Sequence, residues 1–159
     1  MPDCFYTYYD SPVGRFYLES EGGELTHLLF ADHASALPQT RASENSGPFR
    51  ETIGQLSAYF IGKLKSFDLP LRPAGTEFQL NAWKALLEIP YGETRTYAEQ
   101  ARLMKNPKAC RAVGSANGKN PISIIVPCHR VIGSSGKLTG YGGGLETKKF
   151  LLDLEARNR

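Results

Sequence analysis

A reactive thiol is the first chemistry that this sequence suggests. Cys128 stands directly after the apolar run 122–126 and Pro127, and His129 follows it. A stiff, proline-supported chain would hold the thiol at a fixed angle to its target. An ordinary thiol has a pKa near ~8.5, so a histidine, a helix N-terminus or a cation is needed to favour the thiolate at neutral pH. The pattern predicts a nucleophile at Cys128.

The residues that would assist Cys128 stay open at this point. Neighbouring side chains on extended backbone point to opposite sides, so a bridging water is as acceptable as a direct bond between Cys128 and His129. A histidine base also needs an acceptor that orients it. Glu155 is a candidate because it lies beside an apolar stripe on the last predicted helix. Asn120 is a second polar group close to the reactive segment.

The cysteine and histidine pattern argues against other thiol chemistry. There are three cysteines and three histidines, widely spaced, with no C-x-x-C pair. An odd, scattered cysteine set is a poor disulfide framework, and the histidines show no zinc-ligand spacing. We therefore expect no metal and no cofactor.

Composition and charge bound the class of protein. The chain has 159 residues, 41% of them hydrophobic, which is enough for one domain or two small ones. No apolar run approaches the ~20 residues that span a bilayer, and no signal peptide is visible, so we expect a cytoplasmic protein. Residues 1–73 carry 6 basic and 9 acidic side chains (net −3), whereas 74–159 carry 13 and 7 (net +6). An anionic partner would bind the second half.

The elements that must position the thiol differ between the two halves. Strand-like runs at 5–9, 15–20 and 25–30, separated by turn residues, predict an antiparallel sheet. A polar stretch over 34–48 predicts a loop, and helical spacing predicts a helix over 49–63. The extended segment 69–73 marks a boundary, so we expect an N-terminal α/β domain over 1–73 and a second domain over 74–159.

The second half predicts helices with explicit start signals. Capping boxes at Thr76 and Thr96 predict helices that run to about 89 and 104. Asn106 as N-cap and Pro107 at the first helical position predict a helix to about 118. The last two of these suggest a helix-turn-helix. The run 122–126 predicts a buried strand, and residues 145–156 a final helix.

Several motifs in order resemble one known family. The run Ile125-Val126-Pro127-Cys128-His129-Arg130-Val131-Ile132 is similar to the active-site signature of the O6-alkylguanine-DNA alkyltransferases. Further matches, which together cover most of residues 76–155, are Thr96-Tyr97, Asn106-Pro107-Lys108-Ala109, Arg111-Ala112-Val113-Gly114, Asn120-Pro121 and Tyr141-Gly142-Gly143-Gly144-Leu145.

The resemblance implies an α+β fold, with a small N-terminal α/β domain and a helical DNA-binding domain. It also implies a suicide reaction in which Cys128 takes an alkyl group from guanine O6, or from thymine O4, after the base flips out of duplex DNA. His129 acts through water as the base, Glu155 orients it, Asn120 holds the active-site turn and Tyr97 supplies a proton. A monomer that contacts the minor groove is expected.

The DNA and base contacts follow from the same resemblance. Arg111 would fill the gap that the flipped nucleotide leaves. Further DNA contacts are expected from Tyr97, Thr96, Ala112, Arg130 and Ser115. Base contacts are expected from Val131, Tyr141 and Gly142.

The sequence departs from the family pattern in two respects, and three other classes of protein are alternatives. Gly142 replaces a serine that many relatives have, which predicts a roomier pocket. Cys4 and His27 match only two of the four zinc ligands that some relatives have. The alternatives are a non-reacting sensor of alkylated guanine, a helix-turn-helix regulator and a thiol hydrolase; Cys128 argues against the first, and the Pro-Cys-His-Arg segment has no use in the second.

Overall fold

The aromatic and apolar runs of the first thirty residues form a sheet that turns one face to the hydrophobic core. The structure, a computed structural model, describes residues 3–32, 37–38 and 41–159. Phe16, Leu18 and Leu28 lie on the face that packs in this core and are fully inaccessible. The three long strands are antiparallel, as predicted, and their bounds are β1 Cys4–Ser11, β2 Gly14–Glu21 and β3 Glu24–Phe30.

A short fourth strand completes this sheet. Strand β4, Ser43–Glu44, pairs in parallel with β1, so the strand order is β3-β2-β1-β4. The loop predicted over 34–48 therefore contains a strand, and its residues 34–36, 39 and 40 lie outside the described residues. Helix α1, Arg50–Phe60, follows and turns Leu56 and Tyr59 toward the core.

The helices of the second half begin where their capping boxes predict. Helices α2, Glu77–Leu87, and α3, Tyr97–Leu103, have complete capping boxes at Thr76 and Thr96. Strand β5, Arg95–Thr96, directly precedes α3 and pairs with β6, Val131–Ile132. The final helix, α5, is Leu145–Arg157.

The predicted start of α4 is wrong. This helix spans Cys110–Gly118, so it begins three residues later than expected. The amide of Asn106 donates to the carbonyl of Ala101 at 2.9 Å, and that of Lys105 to Arg102 at 2.9 Å. Lys105 has φ 58°. These bonds form a Schellman motif, so Asn106 ends α3 instead of capping α4.

The predicted strand over 122–126 is also wrong. Only Ile122 forms a bridge, in parallel with Leu28, and the chain then turns, with Ile124 at φ 69°. The segment is buried as expected. An apolar run signals burial but does not by itself distinguish a strand from a buried turn.

One hydrophobic core joins both halves of the chain. Phe16 and Leu56 of the first half pack in the same cluster as Trp83, Ile122 and Leu151 of the second. The edge of β3 is covered by backbone bonds: the Leu28 amide donates to Pro121 at 2.8 Å. The sheet therefore directly supports the segment that leads to Cys128.

Candidate active site

Cys128 occupies the first position of a short 3-10 helix, Cys128–Arg130, that Pro127 introduces. Asn120 braces this turn, because its Nδ2 donates to the carbonyl of Val126 at 2.8 Å and its Oδ1 accepts from the amide of Ile122 at 3.0 Å. The same Nδ2 donates to the Cys128 Sγ at 3.3 Å. Asn120 thus shapes the turn and also stabilises negative charge on the sulfur.

His129 and Glu155 form a buried pair behind the thiol. The His129 Nε2 lies 2.7 Å from the Glu155 Oε2, and both side chains are fully inaccessible. A carboxylate only accepts, so Nε2 carries the proton and Nδ1 is the basic nitrogen. Nδ1 has no hydrogen-bond partner among the described residues, so the direct bond to Cys128 that the sequence left open is not formed.

The electrostatics of this pair favour a neutral base beside an ionised acid. Burial lowers the pKa of His129 and outweighs its bond to Glu155. Burial alone would raise the pKa of Glu155, but the bond from His129 and the bonds and charge of Arg130 lower it well below its ordinary value. His129 is therefore an uncharged imidazole at neutral pH, and its Nδ1 can accept a proton. This is the state that a general base requires.

Arg130 is the second side chain that bonds to Glu155. Its Nε donates to Glu155 Oε1 at 2.8 Å, its Nη2 to Oε2 at 3.1 Å and its Nη1 to the carbonyl of Ile89 at 2.7 Å. The residue is 7% exposed. Arg130 is thus a buried partner of Glu155, and these internal bonds argue against the DNA contact predicted for it.

Opposing effects act on the pKa of the Cys128 thiol. Burial raises this pKa, whereas the Asn120 bond and the charge of Lys148 lower it. Burial is the larger effect, so the pKa is raised. Lys148 is fully buried and donates to the carbonyls of Val131 at 2.7 Å and Thr139 at 3.2 Å. The resting thiol is therefore protonated at neutral pH and needs a base when it reacts.

Cavities open on both sides of Cys128. One of about 380 Å³ is lined by residues that include Tyr97, Gly114 and Cys128. A second, of about 500 Å³, is lined among others by His27, Ser123 and Cys128. Both are bordered by Asn117, Gly118, Tyr141 and Gly142.

The tyrosines and the glycine predicted for the pocket lie at these cavities. The Tyr97 hydroxyl lies 2.7 Å from the Thr139 Oγ1. The buried Tyr141 hydroxyl has no partner among the described residues. A Cβ at Gly142 would meet nothing within 4 Å. Val131 is buried, and its carbonyl is bonded to Lys148.

The residues predicted to contact DNA lie on the surface of α3 and α4. Arg111, Ala112 and Ser115 are exposed on α4, and Thr96 caps α3. A ring carbon of Tyr97 lies 3.7 Å from where a Cβ at Gly114 would stand, so α3 and α4 approach closely there. Exposed basic side chains surround this surface: Arg102, Lys105, Lys108 and Lys119.

Sequence reasoning missed Tyr59 and Lys148 as neighbours of the reactive group. The Tyr59 hydroxyl donates to Glu155 Oε2 at 2.6 Å. Helical spacing predicts only that Tyr59 faces the core, and Lys148 looks like any charge on the last helix. No local signal identifies either, because both act across long distances in sequence.

The described residues contain neither a cluster of metal-ligating side chains nor a membrane-spanning helix. Within residues 3–32, 37–38 and 41–159, no three His, Cys, Asp or Glu side chains cluster as a metal site. His27 instead lies 3.5 Å from a carboxylate oxygen of Glu19. No described helix is long and apolar enough to cross a membrane.

Two family models cover nearly the whole chain. Residues 4–73 match the 6-O-methylguanine DNA methyltransferase, ribonuclease-like domain. Residues 77–157 match the 6-O-methylguanine DNA methyltransferase, DNA binding domain.

Individual relatives agree over almost their full length. A methylated-DNA--protein-cysteine methyltransferase from Methanosarcina mazei is 56% identical over 97% of this chain and 98% of its own. One from Mycobacterium bovis is 53% identical over 92% and 88%. The crystal structure of Mycobacterium tuberculosis O6-methylguanine methyltransferase superposes with a TM-score of 0.92 at 51% identity, covering 98% of this chain and 94% of that one. A structure of the M. tuberculosis protein in complex with DNA gives the same TM-score and identity, covering 97% and 94%. The chain therefore belongs to the 6-O-methylguanine DNA methyltransferase family.

Proposed function

We propose that this protein repairs DNA by direct reversal, moving a methyl or larger alkyl group from guanine O6, and from thymine O4, to Cys128. The observation that carries the proposal is the position of Cys128 at the wall of two cavities, with Asn120 on its sulfur and the His129–Glu155 pair behind it. The names of its relatives, methylated-DNA--protein-cysteine methyltransferases, support the same reaction.

The reaction is a displacement that consumes the protein. The Cys128 Sγ attacks the alkyl carbon, the bond from that carbon to O6 breaks, and the electron pair stays on the base. The thiol proton passes through a water molecule to His129 Nδ1, and Glu155 stabilises the imidazolium. Tyr97 gives the departing base its proton and regains one from solvent. The thioether has no easy leaving group, so each molecule acts once.

This chemistry needs no cofactor. The substrate carries both the alkyl group and its leaving group, and the thiol supplies the electron pair. A reducing cytoplasm suits a protein whose working group is a thiol, because oxidation would end its activity.

The DNA is bound by the surface of α3 and α4, arranged as a helix-turn-helix. The thin face of α4, with Ala112 and Ser115, approaches the minor groove, and Arg111 fills the space of the flipped base. Flipping costs a few kcal/mol, which these contacts and the surrounding basic side chains offset. One protein molecule, as a monomer, presents every group that the reaction requires.

The experiment that tests the proposal follows the mass of the intact protein. The protein is incubated with duplex DNA that contains one O6-methylguanine, and peptides are mapped afterwards. A gain of one methyl on the Cys128 peptide, stoichiometric with lesion lost, is the expected result. Cys128→Ala should bind the DNA and transfer nothing, whereas Cys110→Ala should react normally. Catalytic turnover, or no adduct on the wild type, would reject the proposal.

The open space at Gly142 predicts tolerance of bulky O6 substituents. A Cβ added there would meet no atom within 4 Å, so Gly142→Ser should fold as well as the wild type while narrowing the shared border of the two cavities. We expect O6-benzylguanine to inactivate the wild type readily and Gly142→Ser more slowly, with methyl transfer in both nearly equal. Resistance of the wild type at high O6-benzylguanine concentration would contradict this.

A further inference from the structure

Tyr59 brings the N-terminal half into direct contact with the reactive cluster. Its hydroxyl donates to Glu155 Oε2 at 2.6 Å across 96 positions of sequence. Both side chains are 0% exposed. Helix α1 therefore supplies a donor to the carboxylate that orients His129.

Tyr59 shares its acceptor atom with His129. Glu155 Oε2 accepts from the Tyr59 hydroxyl, from His129 Nε2 at 2.7 Å and from Arg130 Nη2 at 3.1 Å. The other oxygen accepts from Arg130 Nε at 2.8 Å and from the Gly92 amide at 3.3 Å. Any donor on Oε2 withdraws charge from the oxygen that stabilises protonated His129.

The ring of Tyr59 is held independently of Glu155. Its centroid lies 5.4 Å from those of Phe60 and Phe67 and 6.2 Å from that of Tyr91. These contacts fix where the hydroxyl points. The hydroxyl therefore positions the carboxylate, and the packing of the ring does not depend on the bond.

We infer that Tyr59 is a positioning residue for alkyl transfer: its hydroxyl fixes Glu155 Oε2 and limits how strongly that oxygen stabilises protonated His129. The inference rests on the proposed function, since it concerns the base of that reaction. Burial keeps His129 neutral in the resting protein, and this bond holds the carboxylate that orients His129 to accept the proton of Cys128.

The remaining groups around the pair would be unchanged by a substitution at Tyr59. The charged and titratable side chains that face Glu155 or His129 are Tyr59, Tyr91, Arg130, Tyr141 and Lys148. Burial and the neighbouring Glu155 raise the pKa of Tyr59 far above the ordinary range. Its phenol is therefore a protonated donor throughout the pH range of any assay.

The test is the pH dependence of methyl transfer by Tyr59→Phe. This variant keeps the ring and leaves Oε2 with two donors, so the Glu155 carboxylate still has hydrogen-bond partners on both oxygens. The maximal rate constant should fall about tenfold, as for other partners that orient a reacting group. The acid limb of the profile should move to higher pH, because a freed Oε2 makes His129 more basic. A merely structural role would lower the free energy of unfolding without moving that limb.

A second variant should move the acid limb in the opposite direction, and it tests the inference even if Tyr59→Phe does not fold. A ring-difluorinated tyrosine at position 59 has a more acidic phenol and is a stronger donor. Its acid limb should move to lower pH. The matched control is Tyr9→Phe. The Tyr9 hydroxyl lies 3.1 Å from the Oγ of Ser57, which belongs to the same helix as Tyr59, and it lies away from Glu155. The pH profile of this control should equal that of the wild type.

The outcomes separate the two proposals. If the wild type transfers no methyl group, the proposed function fails, whatever the variants do. If the wild type transfers and the folded Tyr59 variants share its rate and acid limb, the positioning role is overturned. Opposite movements of the limb in the two variants establish it.

Discussion

In the resting protein Cys128 is a protonated thiol, and neighbouring groups are needed to convert it to the thiolate. Burial dominates and raises its pKa, while Asn120 and Lys148 counteract part of that effect. A protonated resting thiol is protected, since oxidants and stray electrophiles attack the thiolate. In the proposed reaction, the buried His129–Glu155 pair supplies the base when a substrate fills the cavity.

The first prediction concerns the pH at which free Cys128 reacts. Because burial raises its pKa above that of an ordinary thiol, alkylation by iodoacetamide should still accelerate with pH where an ordinary thiol is already ionised. Lys148→Met removes a cation that lowers the pKa, so its midpoint should lie still higher. Mass spectrometry of the Cys128 peptide measures the rate. Lys149→Met, which removes an exposed partner of Asp153, is the control and should match the wild type; a wild-type midpoint below that of an unstructured cysteine peptide would contradict the prediction.

The second prediction concerns Glu155 and acid stability. Its pKa is lowered from the ordinary 4.5 in the folded state, so its contribution is complete above 4.5 and is lost as the pH falls toward the folded value. Glu155→Gln leaves Arg130 buried without its counter-charge and should cost about 3–5 kcal/mol at neutral pH.

The deficit of Glu155→Gln should narrow as the pH falls below 4.5, because the Glu155 carboxyl of the unfolded wild-type chain takes up a proton there, whereas in the folded protein it stays ionised. Urea unfolding over a pH series measures it. Glu93→Gln, at a half-exposed carboxylate paired with Arg95, should change little. A deficit that is constant over the whole pH series would show that ionisation of Glu155 is not its cause.

At the scale of elements, local signals were reliable where the residues that form them are neighbours. Thr76 and Thr96 predicted their helices because a capping box involves only four consecutive residues. The prediction from Asn106 was wrong because asparagine suits the end of a helix as well as its start. The left-handed backbone of Lys105 places Asn106 at the end of α3. The segment 122–126 misled because its bridge partner, Leu28, is remote in sequence.

The third prediction compares the two capping boxes. Thr76→Ala and Thr96→Ala should each lower the free energy of unfolding by about 1 kcal/mol, because each leaves the first turn of a helix without its cap. Only Thr96→Ala should also slow methyl transfer, since Tyr97 follows it at the cavity. Chemical unfolding and single-turnover kinetics measure the two effects. Equal transfer rates in both variants would mean that the start of α3 does not position Tyr97.

At the scale of the molecule, the reactive centre is assembled from both halves. The sequence predicted the sheet, the helices, Cys128 and its candidate partners Asn120, His129 and Glu155. It could not predict the Tyr59 hydroxyl on Glu155 or the buried Arg130, because the hydrophobic pattern places side chains in a core without saying what they touch.

The fourth prediction follows from the shared core. The segment 74–159, expressed alone, lacks Tyr59 and the Leu28 backbone that bonds the reactive segment, and it exposes Ile122. It should unfold at much lower denaturant than the whole chain and transfer methyl groups far more slowly. Adding the separate segment 1–73 should restore part of the activity. Full activity of the isolated second segment would contradict this dependence.

The bridge between Leu28 and Ile122 has a consequence for how the chain is made. The ribosome releases the sheet before it releases the segment 122–126, so Leu28 of β3 is already available for pairing when the apolar run emerges. Pairing in that order shields the run as it appears. A circular permutant that begins at residue 74 would reverse the order, and it should yield more aggregate during synthesis even if its final fold is the same.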